Sequence, residues 1–274
     1  MHGVPEIAER ESSVVNQDKR SLCRGCRDGA GTGFDFTMAF QPIVDLETGR
    51  AYAYEALVRG PSGESAASVL AQVTDENRYA FDQQCRVKAI EGAVGAGLLD
   101  GEAKLSINFL PNAVYSPVAC IQLTLRTAAA TGLPTSRLIF EFTENEQMVD
   151  PAHVRNIIET YRRMGFGTAI DDFGAGHAGL GLLANFQTDA VKLDMELVRG
   201  IDCNLPRRLI VEALVRMCRD MGIRLIAEGV ETAGELAALR AAGVRFAQGY
   251  LFARPEIGRL PTVTLPPVAE ARAA

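Results

Sequence analysis

Short apolar runs in this 274-residue chain repeatedly carry, at or near their ends, a side chain that can bind a cation or move a proton. The runs read Tyr-Glu55-Ala-Leu, Ser-Ile-Asn108-Phe, Ile-Phe-Glu141-Phe-Thr-Glu144, Ala-Ile-Asp171-Asp172-Phe-Gly, Val-Lys192-Leu-Asp194, Ile-Ala-Glu228-Gly-Val-Glu231 and Ala-Gln248-Gly-Tyr. Taken singly, each has an ordinary explanation. Lys192 and Asp194 share a strand face and could be a surface pair. Asp171-Asp172 could cap the segment that follows, and Asn108 and Gln248 could be loop hydrogen-bonders. Loop residues belong at loop tips, however, and not inside runs such as IFEF, AVKL and LIAEG.

If these strand ends converge, Glu55, Glu141, Asp171, Asp172 and Glu228 meet against one ammonium, that of Lys192. Like charges about 4 Å apart repel by several kcal/mol even at an effective dielectric near 20. Either several carboxylates hold protons or divalent cations bind among them. A donor set of Asp, Glu and Asn oxygens, without His or Cys, favours Mg²⁺ or Mn²⁺ over zinc. Successive strand residues face opposite ways, so Asp171 and Asp172 reach one site only if the strand breaks there. Gly174 and Gly176 supply the flexibility. Two cations sharing a carboxylate suit in-line attack of water on a phosphodiester.

The convergence depends on the elements. The patterning predicts strands at Thr37–Val44, Ala51–Val58, Lys104–Phe109, Leu138–Phe142, Gly167–Ile170, Ala190–Leu193, Arg224–Ala227 and Phe246–Leu251. It predicts helices at Ala66–Val73, Asn77–Ala96, Pro117–Ala130, Pro151–Met164, Ala178–Asn185, Pro206–Met221 and Ala233–Ala241. Pro151 and Pro206 sit where proline opens a helix, and glycines close several of the runs. Strands alternating with helices over roughly 250 residues point to an α/β barrel of the TIM type, whose C-terminal strand ends share one rim. Asp45-Leu-Glu-Thr-Gly-Arg50 is too short for a crossover helix, so the first two strands form a hairpin and one strand runs antiparallel.

Composition narrows the function classes. A net charge of −6 and a pI near 5.3 oppose a general binder of duplex nucleic acid. No apolar run approaches the roughly 18 residues of a membrane span, and the N-terminus lacks the apolar core of a secretory signal. A cytoplasmic protein without membrane insertion is expected. Residues 1–33 are polar and end Gly-rich, reading as a flexible tail, and 263–274 as a second one. Cys85, Cys120, Cys203 and Cys218 read as small core residues. Cys23-Arg-Gly-Cys26 has no second pair to complete a zinc site, leaving a regulatory thiol or metal role or none.

Between these tails, FQPIVDLETG, YEALVRG, SINFLP, FEFTE, IDDFGAG, VKLD, IAEGVE and AQGYLFARP follow in order. From about Phe34 to Leu260 the chain resembles the EAL-domain cyclic di-GMP phosphodiesterases of bacteria. The resemblance implies a (β/α)8 barrel with one antiparallel strand at 34–262. It also implies hydrolysis of cyclic di-GMP to linear pGpG with two Mg²⁺ or Mn²⁺ ions. Carried over by motif, Glu55, Asn108, Glu141 and Asp171 would hold one metal, and Asp171 and Asp172, helped by Glu228, the second. Lys192 would orient the attacking water and Glu228 would be its base. Gln41, Arg59, Asp194 and Gln248 would meet the dinucleotide. Glu144 would steady the loop Asp172–Leu180, with Gly174 and Gly176 in it, which couples the site to a homodimer. Where the family commonly reads DDFGTGYSSL, this chain reads DDFGAGHAGL, losing hydroxyls at Ala175, Ala178 and Gly179; His177 reads as loop packing. The N-terminal region is too short for a receiver, PAS-like or GGDEF-like segment, so control is expected from the tail, the dimer or a partner.

Two rival readings stand beside this one. A non-catalytic cyclic di-GMP receptor on the same fold would be expected to lack one or more of these ligands. A two-carboxylate glycosidase would want aromatic sugar platforms, and the chain has no Trp.

Overall fold

The computed structural model describes residues 32–143, 151–176 and 179–266. Cys23, Cys26, Glu144, His177 and Ala178 lie outside the described residues. Eight strands form the barrel: β1 Thr37–Asp45, β2 Arg50–Arg59, β3 Lys104–Asn108, β4 Leu138–Thr143, β5 Gly167–Phe173, β6 Ala190–Leu193, β7 Arg224–Ala227 and β8 Phe246–Ala247. Strands β2 to β8 run parallel in sequence order, and β1 closes the ring by pairing antiparallel with both β2 and β8. The short 45–50 joint forces this, since only a hairpin fits so few residues. A two-residue strand absent from the sequence reading, β9 Glu256–Ile257, pairs with β1 at Ala39 and Phe40.

The helices are α1 Ala66–Leu70, α2 Arg78–Gly95, α3 Pro117–Cys120, α4 Gln122–Thr131, α5 Pro151–Arg163, α6 Gly179–Asn185, α7 Met195–Val198, α8 Leu205–Asp220 and α9 Ala233–Ala241. Their starts follow local chemistry. Ser116 accepts from Ala119 N ahead of Pro117, Asn204 accepts from Arg207 N ahead of Pro206, and Thr232 with Glu235 forms a capping box. The helix expected over Pro117–Ala130 is two helices, because the chain turns at the fully buried Ile121. The strand expected to reach Leu251 stops at Ala247, where Gly249 begins to pack on the backbone of Val230. A Cβ at Gly249 would lie 2.1 Å from Val230 O, so only glycine fits. Cys203, expected in the core, is exposed in a one-turn segment of which only Ile201 faces inward. Beyond Thr262 the chain still packs: Val263 and Leu265 touch the core and Thr264 N donates to Phe252 O.

Two apolar layers hold the barrel. The larger lies between strands and helices and includes Phe40, Ile107, Phe140, Ile157, Tyr161 and Leu193, all at most 1% exposed. Each such side chain contributes about 1.5–3 kcal/mol by burial. The smaller fills the barrel's interior with Ile43, Ala53, Ile139, Ala169, Ala190, Ile226 and Phe246. Strand period two then aims the residues two positions away into the barrel as well. They are Gln41, Glu55, Glu141, Asp171, Lys192, Glu228 and Gln248.

Candidate functional site

The interior apolar layer is thus a floor, and the polar layer above it is the site. At its centre is Lys192, fully buried on β6. Its Nζ lies 3.1 Å from Glu55 Oε2, 3.0 Å from Glu141 Oε2, 3.1 Å from Asp171 Oδ1 and 2.8 Å from Glu228 Oε1. Further bonds fix the ring of acids. Asn108 Nδ2 donates to Glu55 Oε1 at 3.0 Å, Gln248 Nε2 to Glu55 Oε2 at 2.9 Å, and Ser106 Oγ to Glu141 Oε1. Gln248 Nε2 also reaches Gln41 Oε1 at 3.1 Å, and Gln41 Nε2 donates to Ala253 O.

Asp171 and Asp172 both line the pocket above Lys192. The break that permits this is at Asp172 itself, which has φ 53° and sits where the β5–β6 register slips between Ile170 and Phe173. A non-glycine residue in the left-handed region is strained, and Asp is among the types that tolerate it. Asp172 N then donates to Asp171 Oδ1 at 3.0 Å. A break at Asp171-Asp172 is what the sequence requires, but the flexibility expected from Gly174 and Gly176 is not what makes it. Gly174 takes φ 97°, but it follows the distorted residue.

Oxygen atoms of Glu55, Glu141 and Asp171 lie within 4.8 Å of one another, and so do those of Asp171, Asp172 and Glu228. Two three-oxygen clusters therefore share Asp171. The donor chemistry fits hard divalent cations, and Asn108 adjoins the first cluster, its amide nitrogen on Glu55 Oε1.

Electrostatics without a cation are unfavourable for ionised carboxylates. Burial first, then Glu55 and Asp171, pushes Glu141 up to about 8 against the pull of Lys192. Burial, with Asp171 and Asp194 adding to it, pushes Asp172 up to about 6. Glu228 is raised well above the usual carboxylate range by burial and Asp171. Burial opposes the charge on Lys192, but Asp171, Glu141, Glu228 and Glu55 together hold its pKa well above the ordinary lysine value.

Cation binding must displace these protons. Apparent Mn²⁺ affinity is therefore expected to rise as pH climbs from about 6 to about 8, by roughly tenfold per unit for each proton released. Calorimetry in buffers of different ionisation enthalpy would count the protons. A pH-independent affinity with no proton release would contradict the buried acid cluster.

Asp194 lines the pocket and its Oδ1 accepts from Glu196 N at 2.8 Å, capping α7. Arg59 is at the end of β2, where its Nη1 donates to Val58 O, and it is not among the residues lining this pocket. The pocket, about 320 Å³, is also walled by Met195, Gly229, Glu231, Gly249 and Tyr250, to which no role was given from sequence. Tyr250 is two positions past Gln248 and Met195 one past Asp194, so proximity to the motif residues was the available signal. Gln248 Oε1 is buried without a hydrogen-bond donor among the described residues.

A family model described as "EAL domain" matches residues 29–255. The chain is 33% identical over 228 residues to the blue light- and temperature-regulated antirepressor BluF of Escherichia coli, an alignment covering 83% of this chain and 56% of that protein. It is 29% identical over 241 residues to a cyclic di-GMP phosphodiesterase of Pseudomonas aeruginosa, covering 86% of this chain and 41% of that one. The chain thus spans about half, or less, of the length of these curated relatives. Among solved structures, a standalone versatile EAL protein from Vibrio cholerae in its c-di-GMP-bound form superposes with a TM-score of 0.81. It is 52% identical, over 84% of this chain and 96% of that one. Klebsiella pneumoniae BlrP1, in a manganese and cyclic di-GMP complex, gives a TM-score of 0.78 at 38% identity, over 83% and 57% of the two chains.

Proposed function

Because this chain belongs to the EAL-domain family, we propose that it hydrolyses cyclic di-GMP to linear pGpG with two Mg²⁺ or Mn²⁺ ions. The observation that carries this reading is the pair of oxygen clusters sharing Asp171 around a buried lysine. Glu55, Asn108, Glu141 and Asp171 would hold one ion, and Asp171, Asp172 and Glu228 the other. Bound there, the ions supply an activated water and positive charge at the phosphodiester.

The chain's own residues do the rest. Lys192 keeps its proton, so its ammonium orients the water and offsets charge developing on the non-bridging phosphate oxygens. Glu228, beside Lys192 and 16% exposed toward the pocket, accepts the proton of the attacking water. Attack on phosphorus expels one ribose 3′ oxygen, and the phosphate stays on the 5′ side. Gln41, Asp194 and Gln248 face the ligand, and the unpaired Gln248 Oε1 suits one of its donors. Arg59 would reach the dinucleotide from the β2 end of the rim.

Met195 and Tyr250 form the apolar wall, a surface suited to a purine. Arg254 stacks over the Tyr250 ring at 4.2 Å and braces it. Tyr250→Ala is therefore expected to raise KM about tenfold, the loss of one base stack, with kcat little changed. Steady-state kinetics read this, and an unchanged KM would remove Tyr250 from the site.

The proposal includes a homodimer, supported by large apolar side chains left exposed at Leu180 on α6 and at Leu205, Leu209 and Ile210 on α8. Light scattering that found a fully active monomer would remove it. Glu144, Gly174 and Gly176 would link that dimer to the site.

A second reading, a ligand-binding module without turnover, draws on BluF, whose name is that of an antirepressor. Purified protein, cyclic di-GMP and Mg²⁺ or Mn²⁺, resolved by chromatography beside Glu55→Ala, separates the two. Metal-dependent pGpG, lost in the variant and on chelation, supports hydrolysis. Tight binding of intact ligand without product supports the module.

A further inference from the structure

Behind the metal-binding residues, on the outer side of the barrel wall, lies a charged network that the site chemistry does not use. Arg86 and Asp82, one turn apart on α2, form an ion pair of 2.8 Å with side chains 0% and 1% exposed. Asp82 Oδ1 accepts from Leu110 N at 3.0 Å, and Arg86 Nη1 donates to the hydroxyl of Tyr161 on α5 at 3.1 Å. The guanidinium carbon lies 5.6 Å from the centre of the Phe109 ring and 5.1 Å from that of Phe140. Arg86 Nε is buried without a hydrogen-bond acceptor among the described residues.

This is a poor device for stability. A buried ion pair with an unmet donor is commonly no better than apolar side chains of the same volume. Its contacts, however, fall at two informative places. Phe109 and Leu110 directly follow Asn108, and Phe140 directly precedes Glu141. Phe140 and Glu141 are neighbours on β4 and point to opposite faces. Phe109, one residue past β3, is buried in the outer apolar layer with Phe140, so a group gripping both rings from outside holds Asn108 and Glu141 in place. The two strands are already in register at Asn108 and Glu141, and Phe109 N donates to Glu141 O at 2.9 Å.

We propose that the Asp82–Arg86 pair is a positioning clamp: it locks the end of β3 to the middle of β4 so that Asn108 and Glu141 present their oxygens to a divalent cation in fixed geometry. This rests on the metal-binding reading of those two residues. Asp82 and Arg86 touch neither substrate nor cation, nor the side chains of Asn108 and Glu141, and act through the strands.

The test replaces both charges together, Asp82→Leu/Arg86→Met in the full chain, because removing one would strand the other. Mn²⁺ binding is measured by calorimetry, cyclic di-GMP binding is measured in chelator, and thermal melting is followed. The clamp predicts Mn²⁺ affinity weaker by about tenfold or more, with ligand binding in chelator and the melting midpoint near those of the parent. Parental Mn²⁺ affinity in the folded variant would overturn the clamp and leave the metal site standing. A parent that binds no Mn²⁺ would take down the metal site, and the clamp with it. If the double variant does not fold, Tyr161→Phe decides. It deletes only the hydroxyl facing Arg86, and about two- to threefold weaker Mn²⁺ binding is expected for one neutral hydrogen bond. Unchanged binding would overturn the clamp.

Discussion

Asp171→Asn is expected to lower turnover of cyclic di-GMP by about a thousandfold or more while leaving the protein folded. Asp171 is the residue common to both oxygen clusters, so the loss of its charge weakens both cation sites at once. Asparagine keeps the volume and one acceptor oxygen, and the Asp172 N contact at 3.0 Å can survive. Asp172→Asn, which touches only the second cluster, should leave one cation bound. Calorimetric Mn²⁺ stoichiometry on the two variants reads the difference directly. Two ions bound by Asp171→Asn with near-parental turnover would contradict a shared ligand.

Lys192→Met is expected to have the second-largest effect, in two separable ways. With cations bound, turnover should fall by about a hundred- to a thousandfold, the usual cost of removing a group that meets developing charge. Without cations, four acids lose the one ammonium between them. The sign with pH follows from the raised acids. A carboxylate whose folded pKa exceeds its unfolded value weakens the fold once pH rises above the unfolded value, and the penalty is complete above the folded one. For Glu141 that window runs from 4.5 to about 8 in the parent. Removing Lys192 raises the folded value further and extends the window upward. The metal-free variant should therefore melt progressively lower than the parent above about pH 8, a loss of stability on the order of 3–5 kcal/mol when fully ionised, and Mn²⁺ should restore much of it. Equal melting of the metal-free proteins at alkaline pH would show that Lys192 does not offset the cluster.

Much of this arrangement was legible because one rule, strand period two, governs both layers. Ala53 and Glu55, Ile139 and Glu141, Ala169 and Asp171, Ala190 and Lys192, Ile226 and Glu228, and Phe246 and Gln248 are all two apart. The hairpin was legible from six residues that cannot hold a helix. The rest depended on contacts between distant segments. Nothing local marks Asp172 as the residue that takes φ 53°, since the nearby glycines are the more obvious hinge. The early stop of β8 follows from Gly249 meeting Val230, some twenty residues before it in the chain. β9 exists only because Glu256 and Ile257 find the edge of β1. No local pattern marks Asp82 and Arg86 as buried; they are so because Tyr161, Phe109 and Phe140 gather round them. No helix among the described residues is long and apolar enough to cross a membrane.

The most direct test of the central claim is turnover of cyclic di-GMP in ¹⁸O-water, with Mn²⁺ or with chelator, followed by mass spectrometry of the product. The proposed chemistry predicts linear pGpG with a single heavy oxygen in its terminal phosphate, formed only with the metal and far more slowly by Asp171→Asn. Intact cyclic di-GMP after prolonged incubation with Mn²⁺, or a linear product without the label, would contradict it.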